Sequence, residues 1–157
     1  MSGEPTTEDD HGHALLARIS NEMVRAQKEF FGKGPTQAKS YILDDMLIIV
    51  MRGGLTTAEL TMLEFGQTDL VRQFRQLFEN EMTGRLTGMV EELTGRKVAT
   101  YQSQVMFDPH VVVEMFVFDE IADSRARQAT AEGQLHDPGI GAATDEDVLE
   151  EPSRAGG

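Results

Sequence analysis

From His13 onward, Leu15, Leu16, Ile19, Met23, Ala26 and Phe30 recur at helical spacing, with Arg18, Glu22, Arg25 and Glu29 off that stripe. This pattern predicts an amphipathic helix that stops at Gly32, with Gly34 and Pro35 enforcing the break. The period then changes. Thr36 to Leu43 reads as a strand, Asp44-Asp45 as a tight turn and Met46 to Arg52 as a second strand. Gly53-Gly54 ends that strand, and Thr56-Thr57-Ala58-Glu59 matches a capping box that opens the next helix. This helix falters at Gly66. A new start at Thr68 or Asp69 carries a second stripe through Leu70, Phe74, Leu77, Phe78, Leu86, Met89, Val90 and Leu93, ending at Gly95. On it, Glu81 with Arg85 and Glu92 with Arg96 stand in the favourable i,i+4 order. Val98 to Phe107 and Val111 to Asp119 form a second pair of strands, joined at Asp108-Pro109-His110. The order α-β-β-α-β-β gives an α+β domain, an antiparallel sheet of two hairpins packed by two helices.

Two features of this pattern point to a second copy. Leu47 to Met51 does not alternate with polar residues, and VVVEMFVFD is apolar on most of both faces. A strand apolar on both sides needs cover on both sides, and one helix layer supplies only one. Thr68 to Thr94, read as one helix, would run roughly 40 Å and overhang a strand of about 30 Å. The overhang would carry Gly84 and Gly88, which weaken a helix unless another backbone approaches them. The expected partner is therefore a second copy in a homodimer, with Gly84 and Gly88 as its contact; the plainer alternative is a helix that is curved or broken at Gly84.

Charge changes the picture of the ends. The chain of 157 residues has a net charge of −13, but residues 13–120 hold 15 acidic and 11 basic side chains. The ends carry 12 acidic and 3 basic residues, so the acidity belongs to them. Residues 1–12 and 121–157 read as disordered acidic tails flanking a domain over 13–120. Nucleic acid is disfavoured, because it requires Lys and Arg to displace counterions. There is no cysteine, which excludes disulfides and thiolate chemistry and suits a reducing cytoplasm. The longest aliphatic run, Met46 to Met51, is far short of the ~20 residues of a spanning helix. No secretory signal is visible at the N-terminus. The expectation is a soluble cytoplasmic protein, at most peripheral at the inner membrane.

Candidate chemistry is sparse. Arg52-Gly53-Gly54-Leu55-Thr56 places a glycine turn at a helix start, where backbone amides and the helix dipole favour an anion. Arg52 adds a planar donor fork, and Lys33 and Lys39 come from the other end of the hairpin. The plainer reading is a strand-to-helix turn whose cap satisfies itself. Asp44-Asp45 reads as a solvated turn rather than a carboxylate pair, since adjacent turn residues point apart. His11 and His13 beside Asp9 and Asp10 offer at most a weak metal site, and His110 has no visible partner. The methionines read as adaptable core filling, and Gln102 and Gln104 alternate in a way that suits an interface or small pocket. No Gly-x-Ser-x-Gly, His-Glu-x-x-His or Walker loop is present, which points away from an enzyme and gives no cofactor or metal.

The run ISNEMVRAQKEFFGKGPTQAKSYILDDMLIIVMRGGLTTAE, with LVRQFRQLFE and EELTGRKV, resembles the MpsC-like family over about Leu15 to Asp119. That family is named for a component of a bacterial Na+-translocating, membrane-potential-generating system. The most specific segments are Gly32-Lys33-Gly34-Pro35, Asp44-Asp45, Arg52-Gly53-Gly54-Leu55-Thr56 and Leu93-Thr94-Gly95-Arg96. The resemblance implies a non-catalytic accessory or regulatory protein, working with membrane subunits of a cation-coupled or inorganic-carbon transport system. The alternative from the residues themselves is a sensor or binding protein for a small anion such as bicarbonate or phosphate, centred on the Arg52 turn.

Overall fold

The computed structural model describes residues 7–120, 125 and 127–131. Helix α1 (Thr7–Phe31) is followed by strands β1 (Gln37–Leu43) and β2 (Met46–Arg52). Helices α2 (Thr57–Glu64), α3 (Thr68–Glu81) and α4 (Thr83–Thr94) come next, then β3 (Val98–Met106) and β4 (Val111–Phe118). The α+β reading and its element order are borne out. The sheet is wholly antiparallel in the order β1-β2-β4-β3, so each hairpin contributes one central strand and one edge strand.

α1 begins earlier than expected. Thr7 to Gly12, read from composition as part of a disordered lead-in, is helical. Glu8, Asp9 and Asp10 lie in its first turn, where carboxylates favourably oppose the positive end of the helix dipole. Residues 1–6 and most of the acidic tail expected over 121–157 lie outside the described residues; within that tail, Arg125 and 127–131 are helical.

Helices α1, α3 and α4 pack on one face of the sheet, and α2 packs on α3. Ile19, Met23 and Ala26 of α1 meet Leu47, Ile49 and Met51 of β2, Val112, Phe116 and Phe118 of β4, and Met82, Leu86 and Val90 beside α4. This is a two-layer domain whose core lies between helices and sheet.

The long second helix does not exist as one piece. It breaks at Met82, which stands between α3 and α4 with its side chain fully buried. Thr83 donates its hydroxyl to the Asn80 carbonyl at 2.7 Å across the break. Met82, Leu86 and Val90 all lie in the core. Two helices of 14 and 12 residues replace the expected overhang. The break also separates Glu81 from Arg85, which pairs instead with Glu29 of α1.

Candidate functional site

The glycine turn after β2 is built by close packing. Gly53 and Gly54 have φ of +75° and +88°, and a Cβ on Gly53 would stand 2.5 Å from Thr36 Oγ1. Thr36 in turn donates its amide to the Arg52 carbonyl at 2.9 Å and its hydroxyl to the same oxygen at 3.2 Å. The expected capping box forms: the Glu59 amide donates to Thr56 Oγ1 at 3.2 Å, and the Thr56 amide donates to Glu59 Oε1 at 3.0 Å. A protein carboxylate thus occupies the place where the α2 dipole would favour an anion.

Arg75 completes this arrangement from α3. Its Nε donates to Glu59 Oε2 at 2.5 Å, and its Nη2 donates to Glu59 Oε1 at 2.8 Å and to the Gly54 carbonyl at 2.7 Å. Both side chains are buried, and the guanidinium stacks over Phe31 at 4.3 Å. Burial pushes the Glu59 carboxyl up, but hydrogen bonds from Arg75 and the Thr56 amide, with the Arg75 charge, outweigh it and hold it below its ordinary value.

The cations proposed for an anion site separate. Arg52 and Lys39 share the sheet face opposite the helices and line one shallow hollow of about 660 Å³ with Thr36, Gln37, Tyr41 and Val50. Lys39 leans over the Tyr41 ring, 5.3 Å from its centroid. Lys33 is exposed in the turn between α1 and β1 and does not line that hollow. Gly53, Gly54 and Thr56 belong to the self-capped turn. Arg52 and Lys39 are therefore the pair that the structure places together.

The helix-free sheet face is the one anticipated by the doubly apolar strands. Ile48 and Val50 of β2, with Val113, Met115 and Val117 of β4, make its half-buried centre, and no described element covers them. Gln102 and Gln104 of β3 flank it, exposed. Arg52 stands at one end of the strands, whereas Asp44 and Asp45 stand at the other. Gly84 and Gly88 are exposed on α4, with nothing within 4 Å of an added Cβ. The overhang that singled them out is absent.

The least expected element is α3, which is turned inside out. Its buried residues are Val71, Arg75 and Glu79, whereas Leu70, Phe74 and Leu77 are 51%, 47% and 58% exposed. Leu60 of α2 and Phe65 at the α2–α3 turn are exposed as well, Phe65 being 72% exposed. Ala58, Met62, Leu70, Val71 and Phe74 line a hollow of about 280 Å³. The helical period found the stripe but could not say which side of α3 the sheet would take.

Sequence reasoning also missed a buried polar cluster. Glu79 of α3 and Glu114 of β4 are both fully buried. Gln27 of α1 donates Nε2 to both Glu79 oxygens at 3.0 Å, and Tyr101 of β3 donates its hydroxyl to Glu114 Oε2 at 2.5 Å. A lone glutamate inside VVVEMFVF, at an inward position of the strand period, was the available signal.

The remaining candidates are structural or peripheral. The Asp44 carbonyl accepts from Arg96 Nη1 at 3.1 Å, and the Asp45 carbonyl accepts from the Phe118 amide at 2.7 Å. His110 stacks on Phe107 at 5.5 Å; burial first, and then the Arg75 charge, lower its pKa. His11 and His13 are exposed on α1, where His13 Nδ1 lies 2.7 Å from the Asp9 carbonyl oxygen. Among the described residues no group of three or more His, Cys, Asp or Glu could hold a metal ion, and no helix is long and apolar enough to cross a membrane.

Comparison with known proteins accords with the family resemblance of the sequence. Two Bacillus subtilis proteins, both named only as uncharacterized, are similar to this chain. YrhF is 28% identical over 109 residues, covering 67% of this chain and 88% of its own. YbcI is 28% identical over 94 residues, covering 59% and 75%. No solved structure matches. The family model described as "Na+-translocating membrane potential-generating system (MpsC)" matches residues 12–120, from within α1 to just beyond β4, and the chain belongs to that family.

Proposed function

We propose that the protein is a non-catalytic accessory subunit of a bacterial cation-coupled transport system. It works from the cytoplasmic side and docks on a membrane partner through the α2–α3 ridge. The observation that carries this reading is the inversion of α3, which exposes Leu70, Phe74 and Leu77 while burying Arg75 and Glu79. Exposed contiguous apolar surface marks an interaction site, and i, i+4, i+7 anchors suit a helix-and-groove contact. The family description supplies the kind of system.

A second copy covers the helix-free sheet face in this reading. The face is apolar in its centre, with Arg52 at one end of the strands and Asp44-Asp45 at the other. A two-fold axis in the interface, perpendicular to the strands, brings the basic end of one protomer over the acidic end of the other. An isologous contact requires such self-complementarity.

The test is affinity capture from gently solubilised native cells at low salt, read by mass spectrometry. The wild type is compared with a Phe74→Ser/Leu77→Ser variant. Recovery of a membrane transport subunit by the wild type, lost in the variant, is the expected result. Equal recovery by both moves the partner surface off α3, and recovery of no membrane protein overturns the accessory role. The Arg52–Lys39 hollow favours a second reading, a small-anion sensor. It predicts thermal stabilisation by bicarbonate or phosphate that Arg52→Ala abolishes.

A further inference from the structure

We propose that Glu79 and Glu114 form a proton-binding site in the core, in which one shared proton ties α3 to the sheet. Both carboxyl groups are fully buried and each bears electrostatically on the other; ionised together they would be two like charges in the core with no proton between them. The surrounding donors assign the proton. Glu79 accepts from Gln27 Nε2 on both oxygens, at 3.0 Å each, and so acts as the carboxylate. Glu114 accepts from the Tyr101 hydroxyl on Oε2, whereas its buried Oε1 receives no N–H or hydroxyl donor. Oε1 of Glu114 is therefore the position assigned to the shared proton.

Among the described residues the cation that bears on Glu79 is Arg75, and it is committed elsewhere. On α3, Arg75 lies one turn before Glu79, but its guanidinium is engaged by Glu59 of α2 and the Gly54 carbonyl. His110, at the start of β4, has burial and the Arg75 charge opposing its protonation. From β3 the site is faced by Tyr101 and by Ser103, the cross-strand partner of Glu114, whose buried Oγ has no hydrogen-bond partner. From β2 it is faced by Ile49, paired with Glu114, and α1 contributes only neutral Gln27. Removing the proton leaves two negative charges together in a buried site, one on α3 and one on the sheet. Burial pushes both carboxyls up, Glu114 well above its ordinary value and raised further by the Glu79 charge; Gln27 and the Arg75 charge on Glu79, with Tyr101 and Ser103 on Glu114, only partly oppose this. A group raised in the folded state stabilises the fold fully below its unfolded value, and that stability is lost as pH rises toward the folded value.

The experiment is urea unfolding of the full chain and its Glu114→Gln variant between about pH 6 and about pH 8. Glutamine keeps a donor toward Glu79 and an acceptor for Tyr101 without a proton to lose. The expected result is that the wild-type folding constant falls relative to the variant's by about tenfold per pH unit, the signature of one extra bound proton. Parallel pH profiles overturn the proposal. Should the variant fail to fold, carbon-detected NMR titration of wild-type glutamate carboxyls decides. One carboxyl still protonated above about pH 6 supports the site, and titration of every glutamate below that pH sinks it. Tyr101→Phe supplies a further readout, since losing the hydroxyl donor makes Glu114 hold its proton to higher pH.

Discussion

Arg75 on α3 and Glu59 on α2 form a bidentate ion pair in which the Arg75 side chain is 3% and the Glu59 side chain 6% exposed. Glu59 simultaneously caps its own helix, and Arg75 simultaneously holds the Gly54 carbonyl. One buried pair therefore fixes the glycine turn, the start of α2 and the inverted face of α3. Removing one partner leaves the other charge buried and alone. Arg75→Ala should destabilise by about 3–5 kcal/mol in urea unfolding, and Glu59→Gln should cost less because the amide can still accept from Arg75.

The same pair sets the acid side of the stability profile. Glu59 is held below its ordinary value, so its contribution is present above the unfolded value near 4.5 and disappears as pH falls through the folded one. Unfolding followed from pH 6 down to pH 3 should show a shallower decline in Glu59→Gln than in the wild type. Identical declines would mean that the pair does not govern acid sensitivity.

Gly53 offers a test of the turn that separates strain from collision. Gly53 and Gly66 have similar positive φ, +75° and +72°, but only Gly53 would put a Cβ against Thr36. Gly66→Ala should cost about 1 kcal/mol for its backbone alone, and Gly53→Ala should cost distinctly more. Thermal unfolding of the two variants measures the difference.

Truncation should separate the exposed ridge of α3 from the core beneath the helices. Phe74→Ser and Leu77→Ser remove exposed side chains and should change stability by only about 0.5 kcal/mol. Phe116→Ala, in the fully buried core, should cost about 3–5 kcal/mol. A large loss from the α3 substitutions in the isolated protein would show that the ridge is already covered.

Self-association has two rival surfaces. Val113→Lys places a charge at the centre of the open sheet face, whereas Gly84→Leu with Gly88→Leu fills the space beside α4. Light scattering of the wild type at micromolar concentration should give twice the 17.4 kDa chain mass. Val113→Lys should return the monomer and the double leucine variant should remain dimeric. The reverse outcome would restore α4 as the contact.

The strands, their turns and the Thr56–Glu59 cap were legible because each depends on residues adjacent in sequence. Asp44-Asp45 separates two apolar runs, and the capping box spans only four residues. The identity of the buried side of α3 was not legible in that way. Its apolar residues Leu70, Phe74 and Leu77 form a valid stripe, but Arg75 and Glu79 acquire their partners from α2, α1 and β4. Long-range pairing reversed the usual outcome. The helix is interrupted at the buried Met82, and no proline or glycine stands at that position to announce it. The candidate site was legible in part: Arg52 and Lys39 share a face through the β1–β2 register, while Glu59 fills the helix start that seemed open.

The strand order β1-β2-β4-β3 also governs how the chain is made. The central β2–β4 ladder joins residues 59 to 71 positions apart, with α2, α3, α4 and β3 lying between them. During synthesis the first hairpin leaves the ribosome with the apolar edge of β2 unpaired, and that edge stays open until β4 has followed it. Most of this domain must be translated before its sheet can close, and until then β2 is the segment that a chaperone has most reason to hold.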